Sequence, residues 1–269
     1  MSKSSIGIIG IGFPYSSIAP SWIVEAYRRS IIPAPAYALS FGRYADQISG
    51  KSSDGSLMVV GGYDQDLVDG DLNWINCSAA VHVQIPMDGI IINGNTIKRV
   101  DNQPMQAIID SGTGGFIPGP PNIVQAVYSK IVGAQAVPQI PGAYAFPCTS
   151  TIQIGFQFGG QNYMMNPEDF IMQQDGDTCV GALVAQDFVD DTQTQLGFIL
   201  GALFMKNVVS VFDLGRPAVG FGRLKVAGER YGAATVVPQN QQTALGTGPS
   251  ASLSPTFNPP TRTVSHGVH

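Results

Sequence analysis

Charge is what this sequence has least of. Asp, Glu, Lys and Arg make up 12% of its 269 residues, against roughly a quarter in ordinary globular chains. Its 14 basic side chains are outnumbered by 19 acidic ones, for a formal net charge of −5. Without a positive field there is nothing to hold the phosphates of a nucleic acid or an anionic membrane surface, so neither is an expected partner. Long apolar runs are missing too. The segment from Leu196 to Met205 is interrupted by glycine and reaches only about half of the ~20 residues that a spanning helix needs. Cysteine and histidine are scarce: Cys77, Cys148 and Cys179, with His82, His266 and His269, do not have the spacing of a metal-ligand cluster. No metal or other cofactor is expected.

Several familiar motifs fail at single positions. Gly50-Lys51-Ser52 has Ala45 where a phosphate-binding loop needs its first glycine, and Gly10-Ile11-Gly12 runs on to Tyr15 where a dinucleotide fingerprint needs a third. A Ser-His-Asp site would have to use His82, and no Gly-x-Ser-x-Gly elbow accompanies it. His82 reads instead as a strand residue facing solvent or a neighbour.

Glycine and proline are plentiful, at 32 and 19 residues, and they punctuate short apolar or alternating runs. Ser56 to Val60, Leu72 to Ile75, Val81 to Ile85, Thr151 to Phe158 and Val208 to Phe212 read as strands. Asn93-Gly94 and Gly159-Gly160 read as hairpin turns, because both pairs tolerate positive φ. Helices are predicted only over Ala19 to Arg29 and Pro121 to Val132, the latter with an apolar spacing of Ile123, Ala126, Val127 and Ile131. The expectation is an all-β body with short helices outside it. From 228 to 269 the chain is rich in Ser, Thr, Pro, Gln and Gly, which predicts a disordered tail that buries too little surface to offset its ordering entropy.

One stretch carries chemistry. Ala107-Ile108-Ile109-Asp110-Ser111-Gly112-Thr113 ends an apolar strand on an acid, followed by a hydroxyl, a glycine and a second hydroxyl. A carboxylate leaving a buried strand needs hydrogen-bond donors. The Gly112 N–H and the Thr113 hydroxyl are placed to supply them once Gly112 lets the chain turn. An Asx-type turn capping a strand fits the same four residues.

The wider pattern resembles the pepsin-like aspartic peptidases, whose catalytic loops read apolar-apolar-Asp-Thr/Ser-Gly-Thr/Ser. Pieces similar to that family follow in its order over about residues 6 to 224: Gly7 to Pro14, Asp54 to Gly62, Gly70 to Ile75, Ile109 to Thr113, Tyr144 to Cys148, Ile199-Leu200-Gly201, Val211-Phe212-Asp213 and Val219-Gly220-Phe221. The triplet Ile199-Leu200-Gly201 also echoes Ile8-Ile9-Gly10. Departures from the family pattern fall at Gly114, Gly115 and Ala202.

The resemblance implies an acid protease barrel, mainly its C-terminal lobe over 21–227, with 1–20 a remnant of the N-terminal lobe. It implies an endopeptidase of polypeptides, secreted or vacuolar, in which two Asp loops hold a water between their carboxylates. Asp110 would be the C-terminal-lobe member of that pair. Ser111 would give an inter-lobe hydrogen bond, Gly112 and Thr113 would orient the carboxylate, and Phe116 and Ile117 would shape a substrate pocket. A disulfide between Cys148 and Cys179 is implied, with Cys77 unpaired. The first Asp loop and the flap hairpin have no counterpart in these residues, so the expectation is a chain inactive alone, completed by an N-terminal lobe or by self-association. A catalytically dead binding or structural module is the alternative. Ile6 to Phe13, already accounted for as lobe structure, is not expected to be a signal peptide.

Overall fold

A computed structural model describes residues 9–13, 21–42, 55–79, 82–99, 104–187 and 197–225. Contacts divide the chain into a unit Met1–Val237 and a unit Pro238–His269, and all described residues belong to the first. The predicted tail over 228–269 and most of the segment 1–20 lie outside the described residues.

The widest sheet is antiparallel throughout and runs in the order Leu57–Val60, Ala36–Ser40, Val208–Asp213, Ala218–Leu224, Val68–Asn76. Its central strand, Val208–Asp213, is buried along its whole length and mostly apolar on both faces, with Ser210 and Asp213 the buried polar exceptions. Side-chain alternation divides the work. Tyr37, Leu39, Val208 and Phe212 face the main core, while Ala36, Ala38, Val209 and Val211 join a smaller cluster with Tyr63 and Val68. Tyr37 and Phe212 are cross-strand partners whose rings stack with centroids 4.6 Å apart.

Two four-stranded antiparallel sheets wall the rest of the core. One runs Gln161–Met164, Ile154–Phe158, Gly89–Ile92, Asn95–Ile97; the other runs Ile171–Asp175, Thr178–Gly181, Tyr144–Pro147, Gln135–Ala136. Both predicted turns are present in the first. Asn93 and Gly94 have φ of 46° and 77°, and Gly159 and Gly160 have 54° and 76°, the left-handed pair that a two-residue hairpin demands. Each turn is tied to its neighbour: the Gln153 N–H donates to Asn93 Oδ1 at 2.8 Å and the Gly160 N–H to Asp88 Oδ2 at 2.7 Å.

Some boundaries differ from the sequence reading. The run predicted as a strand from Val81 forms one only over Gln84–Met87, and His82 is an exposed turn residue just before it. The first helix spans Trp22–Arg28. The second spans Pro121–Tyr128, opening on a proline at its first turn and stopping short of Val132. Its last turn tightens, with the Lys130 and Ile131 N–H groups donating to the carbonyls three residues back, and Gly133 then takes a φ of 78°. Ile131 still reaches the core from that turn, while Val124 and Tyr128 rather than Ala126 complete the buried face.

A three-stranded sheet runs Phe198–Leu200, Met105–Ile109, Gln84–Met87. Its first two strands are parallel, with Ile109 opposite Leu200, and its last two antiparallel. A second parallel pair joins Ile117–Gly119 to Leu183–Ala185. The Asp110 loop is the connection between these two parallel pairs. The all-β architecture with few short helices is therefore the observed one.

Candidate active site

Met105–Ile109 buries Met105, Ala107 and Ile109 in alternation, so the chain leaves the sheet with Asp110 at the core's edge, half-buried. The loop then folds back on the carboxylate. The Gly112 N–H donates to Asp110 Oδ1 at 2.9 Å, and the Thr113 hydroxyl donates to Oδ2 at 2.6 Å. Each oxygen thus has its own donor, which fixes the plane of the carboxylate and compensates its partial burial. The Thr113 N–H closes the turn onto the Asp110 carbonyl at 3.1 Å.

A remote segment clamps the loop from behind. The Asp110 N–H donates to the Leu200 carbonyl at 3.1 Å, and the Ala202 N–H donates to the Thr113 carbonyl at 2.8 Å. Between these two bonds sits Gly201, where an added Cβ would collide with the Thr113 carbonyl oxygen. Gly201 also caps the short helix Ala202–Met205. Phe204 of that helix anchors it, meeting Phe156 and Phe221 edge-on with centroids 5.4 Å away in each case. The sequence pattern marked Ile199-Leu200-Gly201 as a piece of the family resemblance, with a departure at Ala202, but assigned neither Leu200 nor Gly201 a contact with the Asp110 loop.

The other predicted site residues divide. Ser111 is half-buried, and its hydroxyl makes no hydrogen bond among the described residues. Phe116 is 38% exposed just beyond the loop, but Ile117 is 0% exposed. Ile117 belongs to the core because it starts the strand paired with Leu183–Ala185. Of the two residues expected to shape a pocket, Phe116 alone presents surface. No group of three or more metal-ligating side chains is found among the described residues, and none of their helices is long and apolar enough to cross a membrane.

Cys148 and Cys179 form a disulfide, with Cα atoms 5.0 Å apart and a sequence separation of 31. It ties the end of Tyr144–Pro147 to Thr178–Gly181, beside the hydrogen bond from the Cys148 N–H to the Asp177 carbonyl. Closing a loop of that length stabilises by roughly 3–4 kcal/mol in the chain-entropy model. Reduction is expected to lower the urea midpoint accordingly, and an unchanged midpoint under reductant would contradict it.

Cys77 is free. Burial pushes its thiol up from 9.0 to about 12, so the folded state favours the neutral thiol. Native Cys77 is expected to alkylate slowly at pH 8 and rapidly in urea, since only the thiolate attacks. Because the unfolded thiol ionises first, its contribution to stability is intact below pH 9.0 and is lost as pH rises toward about 12. Equal alkylation rates with and without urea would refute the assignment.

Comparison with known proteins agrees with this geometry. Residues 1–224 match the family model described as eukaryotic aspartyl protease. Major aspartyl peptidase 1 of Cryptococcus neoformans is 28% identical over 231 residues, covering 80% of this chain and 47% of the relative. Cathepsin E of Aquarana catesbeiana is 28% identical over 218 residues, covering 80% and 52%. Pepsin A of Sus scrofa is 27% identical over 219 residues, covering 80% and 53%. The chain thus spans about half the length of the curated relatives it matches. With the Asp-Ser-Gly-Thr loop cradling its own carboxylate and a family match over most of its length, this chain belongs to the pepsin-like family of eukaryotic aspartyl proteases.

Proposed function

We propose that this chain supplies the Asp110 half of an aspartic endopeptidase site that hydrolyses peptide bonds in polypeptides. The observation that carries the reading is the Asp110 cradle, in which two loop donors, the Gly112 N–H and the Thr113 hydroxyl, each hold one carboxylate oxygen. The chemistry uses two facing carboxyls that share one proton. One takes a proton from a water held between them, and the other donates to the scissile carbonyl oxygen. The water oxygen adds to the carbonyl carbon. The tetrahedral intermediate then collapses, breaking the C–N bond as a proton passes to the leaving amine.

Residues 1–269 contain one Asp-Ser/Thr-Gly-Thr/Ser motif. In this reading the second carboxylate comes from another polypeptide segment, an N-terminal lobe or a second copy of this chain. Ser111 makes the hydrogen bond between the two loops, and Phe116 lines the substrate cleft. No cofactor or metal takes part. The working compartment is secreted or vacuolar, in keeping with the disulfide. One relative, from Candida albicans, is named vacuolar aspartic protease.

The chain alone is expected to show little or no acid peptidase activity. A fusion that places the N-terminal half of a related cathepsin E upstream is expected to cleave polypeptides at acidic pH and to bind a pepstatin-type inhibitor. A folded fusion that does neither would replace this reading with a catalytically dead binding module, which the single motif would also suit.

A further inference from the structure

We propose that Asn76 is the acceptor of an N-linked oligosaccharide, a modification independent of the catalytic reading. Of the eleven asparagines in the sequence, Asn76 alone is followed two positions later by a hydroxyl residue, with Cys77 between. Asn-x-Ser/Thr is the triplet that asparagine-glycosylating transferases read, and it marks a site only when it lies on an accessible surface.

The fold meets that condition. Asn76 is the last residue of Val68–Asn76, a strand at the end of the five-strand order. Strand alternation turns Ile75 inward and Asn76 outward, and the burial agrees: Ile75 is buried, Asn76 exposed and Cys77 half-buried against the core. The backbone there is anchored. Asn76 pairs with Ala218, and the Cys77 N–H donates to the Pro217 carbonyl at 2.9 Å. The Asn76 side-chain amide makes no hydrogen bond among the described residues, so a glycan on it displaces no contact of the described fold. Ser78, which completes the triplet, is exposed as well.

Two features of the cysteines support the same conclusion. The Cys148–Cys179 disulfide fits folding in an oxidising secretory compartment, where oligosaccharide donors are held. Cys77 stays free, so no disulfide constrains the triplet while the transferase engages it. The co-reactant is a lipid-pyrophosphate-linked oligosaccharide. Asn76 Nδ2 attacks C1 of its first sugar, the N–C1 bond forms as the C1–O bond breaks, one amide proton passes to a base, and the lipid pyrophosphate leaves with the bonding electron pair. The attached sugar would shield the end of a sheet edge, a place where unpaired backbone otherwise invites association.

The test is translation of the full chain, behind a cleavable secretion leader, in the presence of microsomes, scoring only chain protected from added protease. Protected wild-type chain is expected to show a single upward step in mass that an endoglycosidase removes. Enzymatic release of the glycan by an amidase should leave aspartate at position 76 in the peptide map. Asn76→Gln and Ser78→Ala are each expected to abolish the step, while Ser78→Thr retains it. Asn76→Gln changes an exposed side chain, so its loss of the step cannot be ascribed to misfolding. Protected wild-type chain without a step, or a step that persists in Asn76→Gln, would overturn the proposal.

Discussion

Asp110→Asn, made in a chain completed by a second catalytic lobe, is expected to lower acid peptidase activity by about 10²–10⁴-fold, the usual worth of a positioned acid–base group. The amide is nearly the size of the carboxylate but cannot take a proton from water or share one with a facing carboxyl. It can keep most of the cradle. Asn Oδ1 accepts from the Gly112 N–H as Asp110 Oδ1 does, and the Thr113 hydroxyl, a donor and an acceptor alike, can rotate to accept from the new amide nitrogen. The melting temperature should therefore hold while cleavage is lost. A variant that cleaves at the parental rate would remove Asp110 from the mechanism; one that loses stability in proportion to activity would make its role structural.

Gly201→Ala is expected to be the most damaging single methyl group near the site. The added carbon would strike the Thr113 carbonyl oxygen, and backbone cannot swing aside as a side chain can. Relief requires parting the two segments, which breaks the bond from the Ala202 N–H to the Thr113 carbonyl and disturbs that from the Asp110 N–H to the Leu200 carbonyl. Overpacking of this kind costs about 3 kcal/mol or more, or on the order of 10 °C in a domain of this size. Because the clash falls on the loop that holds Asp110, Gly201→Ala made in the two-lobe fusion should also weaken inhibitor binding, even below the new melting temperature. Wild-type thermal stability in Gly201→Ala would show that the close approach of these segments is not maintained in solution.

These two residues also mark the limit of what the sequence discloses. The Asp110 cradle could be read in advance because its donors lie two and three residues along the chain, where turn chemistry is local. The hairpin turns at Asn93-Gly94 and Gly159-Gly160 were legible for the same reason. Gly201 was not, because its constraint comes from Thr113, far away in sequence, and apolar-apolar-Gly is an unremarkable triplet in a glycine-rich chain. The burial of Ile117 was not legible either, since nearness to Asp110 in sequence says nothing of the turn into the core that Ile117–Gly119 makes to meet Leu183–Ala185. The early end of Pro121–Tyr128 was hidden because Ile131 keeps the apolar spacing through a tightened turn.

The parallel pairing of residue 109 with residue 200 has a kinetic meaning. Contacts between segments so distant along the chain raise the contact order and form only after the loop between them has closed, which places such folds at the slow end of the range for single domains. The hairpins around Asn93-Gly94 and Gly159-Gly160 are local and can form early. The clamp behind Asp110 belongs among the late events, so mutations there should chiefly accelerate unfolding and leave the folding rate little changed. In the two-lobe fusion, pepstatin-type inhibitor binding is therefore expected to lag behind the gain of β-sheet signal during refolding.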